Sequence, residues 1–182
     1  MRKVKILVLM SSLVVALSGL GLAQTTASHQ VTMQVNDVAL LGLIGGNITL
    51  TIGAPGTPGL PPGDATDSTC RLQYTALVPS GESRSITVQW ASGDAAPAGT
   101  QLSVTATPAG LGSGATEGGS AGSVIITDSA QPVVTGIGSC YTGTGGTDGA
   151  QLAYLLDVTN GSLLETGDTH TATVTYTLTD HS

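Results

Sequence analysis

The chain has 182 residues with 12 acidic and 5 basic side chains, a formal net charge of −7. Arg2, Lys3 and Lys5 all lie in the first five residues, so residues 24–182 carry two cations, Arg71 and Arg84, against twelve acids, a net of −10. So acidic a surface has nothing to gain from counterion release, which argues against nucleic acid and anionic lipid as partners, and the absence of lysine after Lys5 excludes a phosphate-cradling P-loop.

In chain order, the first element is a secretory signal. The cations at positions 2, 3 and 5 precede an apolar stretch over 6–17, and small residues lead to Gly21-Leu22-Ala23, the pattern a signal peptidase reads. The apolar core is shorter than the roughly 20 residues a spanning helix needs. The expectation is a signal peptide over 1–23, then a single exported domain over 24–182, secreted or at the cell surface. No later apolar run would hold that domain in a membrane.

After the polar lead QTTASH, Val31, Met33 and Val35 alternate with Thr32 and Gln34. Two readings fit this two-residue period: the first strand of the chain's own sheet, or an extended segment that pairs with the sheet edge of a neighbouring subunit. Charge bears on the choice, because edges that stay unpaired are guarded by lysines or inward charges. Here Asp37 is the only charge between positions 30 and 47.

Further strands are expected at 38–44, 47–52, 71–78, 84–91, 100–107, 122–127, 132–137, 151–159 and 170–180, from alternation and β-branched content. In 84–91, Ile86, Val88 and Trp90 share one face; in 170–180, Ala172, Val174, Tyr176 and Leu178 do, with threonines opposite. Turn-rich stretches separate them, at 53–64, 78–83, 92–99, 108–122 and 142–149. No window shows a sustained 3.6-residue apolar stripe. The expected fold is all-β: an immunoglobulin-like or jelly-roll antiparallel β-sandwich of about 8–10 strands. With no Phe, one Trp and four Tyr, its core must be built from Val, Ile, Leu and Ala.

Cys70 and Cys140 are the only cysteines. In an oxidising compartment they are expected to form a disulfide, closing a loop that in the chain-entropy model stabilises by roughly 4 kcal/mol. Buried free thiols and a metal pair are the rival readings.

Asp64 and Asp67, in GDATDST, and Asp148, in a glycine loop, are the calcium candidates, since carboxylates and loop carbonyls are the ligands Ca²⁺ prefers. Neither segment has EF-hand spacing. The competing reading is that these aspartates bond to backbone N–H groups of their own turns.

Gly118-Gly119-Ser120-Ala121-Gly122 matches the nucleophile-elbow pattern, but a strand-like segment follows it where the elbow needs a helix. His170 reads as a surface residue opening the last strand. Asn47-Ile48-Thr49 and Asn160-Gly161-Ser162 are glycosylation sequons, and the second also reads as a tight reversal.

The signal-like N-terminus, the single cysteine pair, the segment LQYTALVPSGESRSITVQW followed by PAGTQLSVTAT, and the closing ATVTYTLTD resemble small exported bacterial β-sandwich proteins, among them fimbrial subunits and surface-filament proteins. The resemblance implies an immunoglobulin-like fold, an extracellular or surface location, and assembly through strand exchange. The expected function is therefore a non-catalytic structural or adhesive surface protein without a cofactor. Its expected partners are copies of itself or other surface proteins. A secreted carbohydrate- or calcium-binding module is the alternative, and a secreted hydrolase a third reading.

Overall fold

The computed structural model describes residues 26–108, 116–167 and 169–182, so the predicted signal peptide lies outside the described residues. The chain divides into two units, Met1–Val35 and Asn36–Ser182. Of the first, residues 26–35 are described, and they form no strand. The strand expected at 30–35 is therefore corrected: Val31, Met33 and Val35 keep their alternation but belong to no ladder.

The second unit is an all-β sandwich. Its strands are β1 (Val38–Ile44), β2 (Ala65–Asp67), β3 (Arg71–Leu77), β4 (Arg84–Trp90), β5 (Thr100–Thr107), β6 (Glu117–Ser120), β7 (Ser123–Ile125), β8 (Gln131–Ile137), β9 (Cys140–Tyr141), β10 (Ala150–Val158) and β11 (Val174–Leu178). One sheet runs β1-β3-β10-β5-β7, with β2 paired to β10 and β9 to β3; the other runs β11-β4-β8-β6. Every pairing is antiparallel.

The alternation sets which face each strand buries. Leu72, Tyr74 and Ala76 of β3, Ile86, Val88 and Trp90 of β4, and Leu152, Tyr154 and Leu156 of β10 all point into the core. Strand β4 shows it most cleanly, every second residue being buried. Trp90 is buried, as its shared face with Ile86 and Val88 implies. The segment 47–52 keeps the alternation without a ladder: Ile48 and Leu50 pack against the core, yet no strand forms there.

The tyrosines close the core by bonding inside it. Tyr74 Oη donates to the Glu117 carbonyl at 2.7 Å, and the hydroxyls of Tyr154 in β10 and Tyr176 in β11 meet at 2.7 Å, linking the two sheets. Burial raises all three phenols above their ordinary value of 10.0, because a phenolate would lie in a poorly solvated site. A raised folded pKa favours the protonated form, so this contribution is whole below pH 10 and is lost as the pH rises past it. Above about pH 10, stability is expected to fall by up to about 1.4 kcal/mol per pH unit for each such tyrosine. Urea midpoints measured from pH 8 to 11 check this, and a flat profile across pH 10 contradicts it.

The loop at 142–149 is built rather than slack. The Asp148 carboxylate turns back to accept from Gly145 N at 2.6 Å, and Gln73 Nε2 donates to the Gly145 carbonyl at 2.9 Å. The loop predicted over 108–122 is described only in part, since 109–115 lie outside the described residues. Its end carries β6, then Ala121-Gly122, then β7, and there the chain crosses from one sheet to the other.

Candidate assembly surface

The sequence-predicted sites separate into those the fold absorbs and those it leaves at the surface. Asp67 Oδ1 accepts from Thr69 N at 2.9 Å and Thr69 Oγ1 at 2.7 Å. Asp64 Oδ1 accepts from Val158 N at 2.9 Å, and Asp148 from Gly145 N. All three calcium candidates thus make side-chain-to-backbone bonds of the kind that stabilise turns and strand ends. Among the described residues, no group of three or more His, Cys, Asp or Glu gathers in a way that would hold a metal ion.

The disulfide expectation is corrected. Cys70 and Cys140 are separate, buried thiols. Cys140 lies opposite Ala76, while Cys70 stands six residues away along the same run of chain, just before β3. At about 3.3 Å per residue that separation is roughly 20 Å, far beyond the ~7 Å between Cα atoms that a disulfide tolerates. Burial pushes both thiols above their ordinary range. Cys70 instead packs under the turn after β1, its Sγ donating to the Gly46 carbonyl at 3.4 Å.

Ser120 ends β6, and β7 follows it, so the strand-to-helix elbow is absent. Its Oγ accepts from Gly122 N at 3.1 Å, within the sheet crossing. Asn160 caps the short 3₁₀ turn Gly161–Leu163, its Oδ1 accepting from Ser162 N at 3.1 Å, where sequence reading expected a plain reversal.

One charged cluster escaped sequence reading. Arg84, only 2% exposed, opens β4 pointing inward. Its Nη2 donates to both Asp37 carboxylate oxygens at 2.7 Å, and its Nη1 donates to the Thr179 carbonyl at 2.7 Å. Asp180 lies 3.7 Å from Nη1, and His181 sits between Glu82 and Asp37. Hydrogen bonds from Arg84 hold the Asp37 carboxyl below its usual range. The cluster fastens the start of β1 and the end of β11 to the end of β4 where Arg84 stands. The signal was present in the sequence, because a cation at the inward phase of an apolar strand requires a buried partner; what alternation could not supply was the partner's identity, 47 residues away.

Strands β1 and β7 are the edges of the first sheet, β11 and β6 those of the second. Strand β7 is three residues long, and β6 is kinked at Gly118, whose φ is +86°, beside the carbonyl of Thr135. Shortness and irregularity protect those edges. Strand β1 is seven residues long, uncharged, and free of proline, with Leu40 64% and Leu43 50% exposed. Ahead of it, Val31, Met33 and Val35 are 64, 87 and 83% exposed.

A shallow hollow on the outer face of the first sheet is lined by Thr66, Asp67, Ser68, Ser103, Thr105 and Ser123. Among the described residues, no helix is long and apolar enough to cross a membrane. Comparison with known proteins adds no relative: no family model matches the chain, and no curated protein or solved structure matches it significantly.

Proposed function

We propose that the protein is a non-catalytic structural or adhesive subunit acting outside the cell, whose copies associate by adding an extended N-terminal segment to a neighbour's sheet edge. The observation that carries this reading is the exposure of Val31, Met33 and Val35, alternating apolar residues in a segment that carries no charge and forms no strand of its own. A strand edge presents unpaired N–H and C=O groups, and an incoming segment of that pattern satisfies them while burying its apolar side chains. The long uncharged edge β1 also lacks the lysines by which monomeric β proteins guard such edges.

Light scattering at increasing concentration tests this on the mature chain, residues 24–182, and on a variant lacking 24–36. The full mature chain is expected to form oligomers or filaments that the truncation abolishes. A mature chain that stays monomeric at every concentration, or a truncated chain that assembles as well as the full one, removes the reading.

A further inference from the structure

Counted in strands, the two sheets are unequal. Five strands run across the first and four across the second. On one side the sandwich is closed by the chain itself, which crosses from β6 to β7 through Ala121-Gly122. The deficit therefore falls on the other side, where β1 and β11 approach each other.

Exposure confirms where a strand is missing. Directly opposed residues of an antiparallel pair share a face. Ala39, Leu41 and Leu43 oppose Ala76, Tyr74 and Leu72, whose side chains lie in the core. They therefore sit on the core side of β1, yet Leu43 is 50% exposed, Ala39 is exposed and Leu41 only half-buried. The facing strand tells the same story: Val174, Tyr176 and Leu178 point inward but are half-buried, whereas Ile86 and Val88 of neighbouring β4 are fully buried.

The backbone of β11 leaves the matching edge open. Ala91 N donates to the Thr173 carbonyl and Thr179 N to the Ser85 carbonyl, each at 2.8 Å, so the odd-numbered residues bond toward β4. By the two-residue period, the N–H and C=O groups of Val174, Tyr176 and Leu178 face away from β4, where no strand among the described residues pairs with them. The segment 47–52 presses Ile48 and Leu50 on the core but joins no ladder, so it does not complete this edge.

We propose that this side, between β1 and β11, is the acceptor surface, and that its occupant is residues 31–35 of a second copy, added to the four-stranded sheet beside β11. The proposal rests on the strand-addition reading above and names its receiving edge. Five residues match the five of β11, and their period of two would turn Val31, Met33 and Val35 onto Ala39, Leu41 and Leu43. Residues 31–35 and the strands β1 and β11 themselves carry no charge that burial would strand; the Asp37–Arg84 cluster stands at one end of the slot.

The test places a lysine in the slot. Leu43→Lys introduces an inward-pointing charge at a half-exposed position, a known device against edge pairing, and Ile125→Lys places a charge on the outer face of the opposite edge strand, where Ile125 pairs with Ser103 and is 48% exposed. Sedimentation of the mature chain and both variants is expected to show oligomers for the mature chain and Ile125→Lys, and monomer only for Leu43→Lys with its melting temperature kept. Should Leu43→Lys melt early, mixing a Met33→Cys chain with a Leu43→Cys chain and adding a bismaleimide decides instead: a cross-linked heterodimer supports the slot, and its absence from assembled material overturns it. Oligomers that survive Leu43→Lys and vanish with Ile125→Lys overturn the choice of edge while leaving strand addition standing. A mature chain that never assembles overturns both.

Discussion

Replacing Arg84 with alanine is expected to destabilise the sandwich by about 2–4 kcal/mol, from the space emptied around a buried side chain and the loss of its hydrogen bonds to the Thr179 carbonyl and to the half-exposed Asp37 carboxylate. The side chain is 2% exposed, so its guanidinium is held away from water by its partners alone. Its loss unfastens Asp37 at the start of β1 and the Thr179 carbonyl at the end of β11 together. Arg84→Met, which keeps most of the volume, is expected to lose clearly less. Part of the guanidinium is already unsatisfied, since Arg84 Nε finds no acceptor among the described residues, and a methionine abolishes that cost along with the bonds. Urea unfolding of the three proteins measures it. A loss below about 1 kcal/mol for the alanine variant would mean that the cluster is ornamental to stability.

Gly149→Ala is expected to cost about 2–5 kcal/mol, a large effect for one methyl group. Gly149 ends the loop that Asp148 curls, with φ +89°, a conformation L side chains rarely adopt. A Cβ there would fall on the Leu72 carbonyl oxygen of β3, backbone that cannot swing aside. The unfavourable dihedral accounts for about 1–2 kcal/mol and the forced displacement for about 1–3. Gly146→Ala is the internal control, because a Cβ at that position meets nothing within 4 Å and its φ is ordinary. Thermal melts of the pair should separate them; equal melting temperatures would show that the loop yields freely.

Much of the sandwich was legible because alternation is a local signal. The stretches expected at 38–44 and 100–107 match β1 and β5 residue for residue, β3, β4 and β8 differ by one position at an end, and β10 is shifted by one position at both ends. The failures have separate physical causes. Strands β2, β6 and β9 have two to four residues, and β6 reads EGGS, which carries turn chemistry into a ladder. The segments 30–35 and 47–52 alternate correctly, but pairing is a property of the neighbour, and alternation does not report whether one exists. The cysteines failed for a related reason: compartment chemistry favours a bond, whereas β3 holds the two thiols at opposite ends of one strand. The candidate surface was half legible. Val31, Met33 and Val35 could be singled out from the sequence, while the unequal width of the two sheets is a tertiary fact with no local signature.

The placement of the two cations has a consequence for survival among digestive enzymes. Beyond Lys5, a protease that cuts after lysine or arginine has only Arg71 and Arg84 to attack, and both open strands hydrogen-bonded within sheets, Arg84 with its side chain in the interior. Cleavage requires an extended, accessible stretch of chain, which exposed loop tips supply readily and paired strands supply only by opening. The long glycine and proline loops, the natural points of attack, contain no such residue. Resistance to trypsin-like enzymes is therefore set by the global unfolding equilibrium, and the same arginine that fastens the start of β1 and the end of β11 also keeps its own peptide bond out of reach.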